Sequence, residues 1–162
     1  MENLPRWIFA SVAWHFKEIA DDNNIPLFIE GIDERESEDS EQDHVELRLT
    51  GPIIKEVSKD YYTLDTVVNF LVTNLMSMSG NNAYQIIDWC GILAYEMNKP
   101  LPIYKYGSGP DDDDSLIKCM QVKKNKSSSV KIFHFGQIDK TSRIRQSEID
   151  ASYEMDIKLN EV

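Results

Sequence analysis

Residues 148–159 read EIDASYEMDIKL, and every second one is apolar: Ile149, Ala151, Tyr153, Met155, Ile157 and Leu159. Glu148, Asp150, Ser152, Glu154, Asp156 and Lys158 fall between them. Successive side chains on a strand point to opposite faces, so this segment has one greasy face and one polar face. Alternation sustained over twelve residues predicts a strand of an antiparallel sheet. One face of that sheet lies on a core, and the other meets water or a partner. The pattern constrains the fold and names no chemistry.

The rest of the chain supplies partners for that strand. Phe9, Val12, Phe16 and Ile19 recur at spacings 3, 4 and 3 behind Pro5, which predicts a first helix with Trp7 and Trp14 on one flank. The run Asp21-Asp22-Asn23-Asn24 ends it, and PLFIEG extends after it. His44–Thr50 alternates as a strand, Gly51-Pro52 signals a turn or bulge, and IIKEVS extends again. Lys59-Asp60 turns the chain into a long strand over Tyr61–Met76. Its second face, with Val67 and Leu71, is partly apolar, so it is either covered or used in assembly. Ala83, Ile86, Ile87, Cys90, Leu93, Ala94 and Met97 carry a second helix, capped by Asn81 or Asn82 and stopped by Pro100. LPIYKY, LIKCMQV, VKIFHFGQI and the closing strand follow. The coarse order is α-β-β-β-α-β-β-β, an α+β fold in one domain, with both helices on one face of an antiparallel sheet.

A chain of 162 residues, 41% apolar, builds a core without disulfide or metal. Cys90 and Cys119 form no CxxC pair and read as reduced thiols. The N-terminal stretch lacks the pattern of a signal peptide, and no run of 18 apolar residues exists to span a membrane. The net charge of −11 argues against sequence-independent binding to DNA phosphates, although a negative wall lets a polyanion pass without sticking.

Two acidic loops stand out. Residues 31–43 hold seven acids against Arg35, and the loop 107–115 holds Asp111, Asp112, Asp113 and Asp114. Four adjacent carboxylates repel one another, and Mg²⁺ or Ca²⁺ would relieve that, but the EF-hand ligand pattern is absent. The competing reading is a solvated turn or a patch for a basic surface, so no cofactor is expected. His15, His44 and His134 share no metal-ligand spacing, and neither HExxH nor GxSxG occurs. Lys123, Lys124 and Lys126 with Ser127–Ser129 form a basic hairpin tip or contact surface, and Arg143 and Arg145 precede the closing strand. These bases and the acidic loops give one chain both halves of a head-to-tail contact, the kind that closes into rings. No catalytic residue is assigned.

PLFIEG, GPIIKEVSKDYYTL, IYKYGSGPDDDDSLIKCM and HFGQIDKTSRIRQSEIDASYEM resemble stretches of minor virion proteins of tailed bacteriophages. The element order is similar to that of the tail terminator and tail-completion proteins. The resemblance implies a non-enzymatic homohexameric ring at the head–tail junction of a virion. Its partners would be neck or adaptor and tail-tube proteins, with genomic DNA passing through the lumen and no membrane contact. The chain departs from that pattern in its long acidic loop at 31–43 and in lacking a basic tail. The alternative is a small acidic binding or regulatory domain recognising a basic protein.

Overall fold

Why the alternating strands form one sheet is visible in their register. In the computed structural model, which describes residues 2–33, 42–75, 82–105, 115–123, 129–137 and 144–161, the elements are α1 (Leu4–Asp22), β1 (Leu27–Ile29), β2 (His44–Ser58), β3 (Tyr61–Leu75), α2 (Asn82–Met97), β4 (Leu101–Lys105), β5 (Ser115–Val122), β6 (Lys131–Gln137) and β7 (Ile144–Lys158). The sheet runs β1-β2-β3-β7-β5-β4, and β6 pairs with β7 beside β5. Leu47, Phe70 and Ile149 lie abreast on β2, β3 and β7, as do Leu49, Val68 and Ala151. This places the apolar set of each strand on one face, where the helices cover it. Ile149, Ala151, Tyr153, Met155 and Ile157 are all buried there. Leu159, the last apolar residue of the alternation, belongs instead to a 3-10 turn and is exposed. The strand ends one residue before it.

The α+β order stands, with LPIYK a short strand of its own after α2. One pairing differs from an all-antiparallel sheet: β1 runs parallel to β2. β1 ends at Ile29 and β2 begins only at His44, a separation long enough for the crossover connection that a parallel pair needs. β2 is a single strand with an irregularity between Thr50 and Ile53, so Gly51-Pro52 is a bulge and not a turn. Gly51 has φ +109, and a Cβ there would sit 2.8 Å from the Asp65 carbonyl oxygen, so only glycine fits. Asp60, at φ 65, turns β2 into β3 as expected. Met76 lies outside the described residues, and β3 ends at Leu75.

The helix stripes are rotated from those read off the sequence. α1 buries Leu4, Ile8, Val12, Phe16 and Ala20, while Phe9 and Ile19 are only partly buried. The observed stripe follows the i, i+4 row, because α1 lies against β4 as well as β1 and β2. Ser11 is buried within it, and its Oγ accepts a 2.9 Å hydrogen bond from the Tyr104 amide of β4. Trp7 is half-buried with the Lys105 ammonium over its ring, whereas Trp14 is exposed. On α2, Trp89 is buried and Ile87 is exposed, the reverse of the expectation for Ile87. Tyr153 of β7 donates its hydroxyl to the Met97 carbonyl at 2.5 Å, which satisfies one carbonyl of the last turn of α2. Phe16 and Phe70 meet edge to face at 4.8 Å between α1 and the sheet.

Candidate functional site

The face of the sheet turned away from the helices carries a row of charged side chains on β2, β3, β6 and β7. Each lies opposite a defined neighbour because the register fixes it. Glu46, Asp65, Glu148, Asp150, Glu154 and Asp156 are the acids of this face. Arg48, Lys55, Lys123, Lys131 and Lys158 are its bases. Asp65 and Glu154 face each other across β3 and β7, a repulsive arrangement by itself. Lys123 resolves it: its Nζ is 2.5 Å from Asp65 Oδ1, and Lys55 Nζ lies 3.5 Å from Oδ2. The Lys123 hydrogen bond and charge, aided by Lys55, hold the Asp65 carboxyl below the usual carboxylate range, against the opposing effect of burial. Arg48 binds Glu46 at 3.1 Å and reaches Glu30 at 3.8 Å. Thr63 donates to Asp156 at 2.6 Å, and the Asn69 amide donates to Glu148. Val67 and Leu71, half-buried, interrupt this polar network as expected of a face that is partly apolar.

The residues singled out from the sequence meet different fates. Asp111, Asp112, Asp113 and Asp114, the basic-turn residues Lys124 and Lys126, and Arg143 lie outside the described residues, as does most of the 31–43 loop. Lys123 is held by Asp65 of its own chain, so its charge is engaged within the molecule. Arg145 is exposed at the start of β7, opposite Asn74 and Gln137, on the side of the sheet that bears the helices. The structure therefore does not bring Lys123 and Arg145 together: they lie on different faces.

The histidines are dispersed. His15 is packed edge to face against Phe16, and burial holds its imidazole below the usual value, opposed by Glu96 and Glu18. His44 Nδ1 donates to the Gln42 carbonyl at 2.8 Å. His134 Nδ1 shares a 2.7 Å hydrogen bond with Ser147 Oγ, and the two are direct cross-strand neighbours, so the contact follows from register. Cys90 is free and buried, with its thiol pushed up to about 11 by desolvation, a value that keeps it protonated and unreactive at neutral pH. Cys119 is free and half-buried. Among the described residues no group of three His, Cys, Asp or Glu side chains is placed to hold a metal. No helix among them is long and apolar enough to cross a membrane.

Sequence reasoning did not find the exposed apolar residues at the sheet rims. Ile53, Ile54, Val57 and Tyr61 are exposed at the β2–β3 hairpin, and Ile132, Phe133 and Phe135 are exposed on β6. The Phe133 and Phe135 rings stack at 6.3 Å with 13° between their planes. The alternation of IIKEVS and VKIFHFG gives no sign that these side chains are exposed.

No family model matches the chain, and no curated protein matches it. One solved structure superposes on it with a TM-score of 0.54 at 10% identity, over 90% of this chain and 93% of its own. That likeness extends the α+β arrangement across nearly the whole chain and concerns the fold alone.

Proposed function

We propose that the chain is a structural component of a bacteriophage virion, a tail terminator or neck ring at the head–tail junction through which DNA passes. The observation that carries this reading is the distribution of charge. Residues 31–43 carry seven acids and one arginine, and residues 111–114 carry four acids, so two loops account for all but one unit of the net −11. The sheet face turned away from the helices is close to neutral, with six acids and five bases; Arg48 pairs with Glu46, Lys55 and Lys123 pair with Asp65, and Lys131 lies opposite Asp150. A wall of compensated charge holds a polyanion weakly, and acidic loops keep it from sticking. A broad polar face bounded by apolar rims is also suited to association with further copies. The resemblance of four sequence stretches to minor virion proteins supports the same reading.

Light scattering after size-exclusion chromatography tests it. A ring gives a mass near six times the 18.7 kDa chain and an annulus in negative-stain electron microscopy. A single-chain mass at every concentration, both alone and in the presence of purified tail tubes, refutes it. The two acidic loops also favour a second reading, a small domain that recognises a basic protein. That reading predicts a single-chain mass and salt-sensitive binding to basic polypeptides.

A further inference from the structure

Two stretches of the sheet lie at its rims with no strand beyond them among the described residues. One is the far half of β2: β1 covers only Val45–Leu47, so Ile53–Ser58 has β3 on one side and nothing paired on the other. The second is β6, which pairs with β7 and with no other strand. Backbone groups along such a rim are a template for another strand, and proteins normally blunt them with bulges, prolines or charge. Here β6 has an irregularity between His134 and Gly136, and β2 has one between Glu56 and Ser58 as well as the Pro52 bulge, which ends at Ile53. Beyond that point Val57 is 69% exposed, and on β6 Phe135 is 57% exposed.

The directions of the strands make these rims complementary. β2 is antiparallel to β3, and β3 to β7, so β2 runs in the direction of β7. β6 runs against β7. When one sheet is set beside the next with the same face outward, β6 of one copy meets β2 of the other antiparallel, the more stable arrangement. The faces match as well. Phe133 lies opposite Glu148 on the uncovered face, and Ile53 lies opposite Asp65 on that same face. Ile132 lies opposite Ile149 and Ile54 opposite Leu64, both on the helix side. Apolar side chains would thus meet on both faces of the junction.

We infer that β6 of one copy adds to the Ile53–Ser58 rim of a second copy of this chain, giving a head-to-tail junction that continues the sheet from subunit to subunit. The inference rests on the ring reading and specifies its contact. The two rims lie on opposite sides of the β3–β7 pair, so the contact is heterologous and repeats until the ring closes. A six-residue strand junction falls well short of the roughly 800 Å² per partner of a stable pair. A lone dimer is therefore weak, and closure holds because it gives every copy two junctions.

The test uses the full chain carrying Cys119→Ser, with Val57→Cys or Phe133→Cys, and a short bis-maleimide. Mixing the two variants is expected to give a covalent dimer, each variant alone to stay a single chain, and the double variant to give a ladder. In parallel, Val57→Lys and Phe133→Lys should each reduce the scattering mass to one chain while circular dichroism shows the fold retained. If the wild-type chain is oligomeric but the mixture does not cross-link, the junction is wrong and the ring reading survives. Equal cross-linking in the single-variant samples means a symmetric contact and also overturns the junction. A wild-type chain that is monomeric throughout and does not cross-link overturns both.

Discussion

Replacing Tyr153 by Phe removes one oxygen from the centre of the molecule. The side chain is fully buried, and its hydroxyl donates to the Met97 carbonyl at 2.5 Å. That carbonyl belongs to the last turn of α2, where no further helical N–H is available to it. A typical buried hydrogen bond contributes about 1 kcal/mol net, and leaving its acceptor unsatisfied costs about 1–3 kcal/mol. The ring itself stays in place, so no cavity larger than the lost oxygen forms. The expected loss for Tyr153→Phe is about 2 kcal/mol, which at a urea dependence of about 2 kcal/mol/M moves the unfolding midpoint down by about 1 M.

A second readout reports on the burial of the phenol. Burial raises the Tyr153 phenol above its ordinary value of 10.0. A group with a raised folded-state pKa contributes stability that is present below the unfolded value and lost as pH climbs toward the folded one. The wild-type chain should therefore lose stability above about pH 10, and Tyr153→Phe should lose less over the same interval. The assay is urea unfolding followed by circular dichroism at neutral pH and at several alkaline values, at a concentration where the chain is monomeric. A midpoint shift below about 0.25 M at neutral pH would refute the account of the α2 carbonyl. An unchanged alkaline slope would refute the titration argument.

Gly51→Ala should destabilise by about 2 kcal/mol, because φ +109 disfavours any Cβ and the new atom would press on the Asp65 carbonyl; a melting temperature within a degree of wild type contradicts this. Asp65→Asn should cost about 0.5–1 kcal/mol at neutral pH by leaving Lys123 and Lys55 without their carboxylate. Since the Asp65 pKa is depressed, its contribution is present above the ordinary carboxylate value and lost as pH falls through the folded one. Asp65→Asn and wild type should thus converge in acid, and a constant difference down to pH 2 argues against the pairing. Phe70→Ala should cost about 3–5 kcal/mol from the emptied space beside Phe16, measured as the change in urea midpoint.

The two faces of the sheet were legible in the residue pattern. Period-2 alternation in β7 and β3 can bury its apolar set in one way only, so Ile149, Ala151, Tyr153, Met155 and Ile157 had to face the helices, and their partners had to face away. Gly51-Pro52 marked a turn or bulge, which the structure resolves as a bulge, and Asp60 marked the hairpin, because few residues fit such backbone. Three things were decided only in three dimensions. The contact stripe of α1 shifted to Leu4, Ile8, Val12, Phe16 and Ala20, because a helix surface has several apolar rows and the neighbours choose among them. The Asp65–Lys123 pair joins residues far apart in sequence, and its position depends on where β5 ends beside β7. The bare rims at Ile53–Ser58 and Lys131–Gln137 were illegible for a similar reason. An apolar residue on a strand reads the same whether a neighbour covers it or not, and only the order of strands in the sheet leaves these two without a further strand among the described residues.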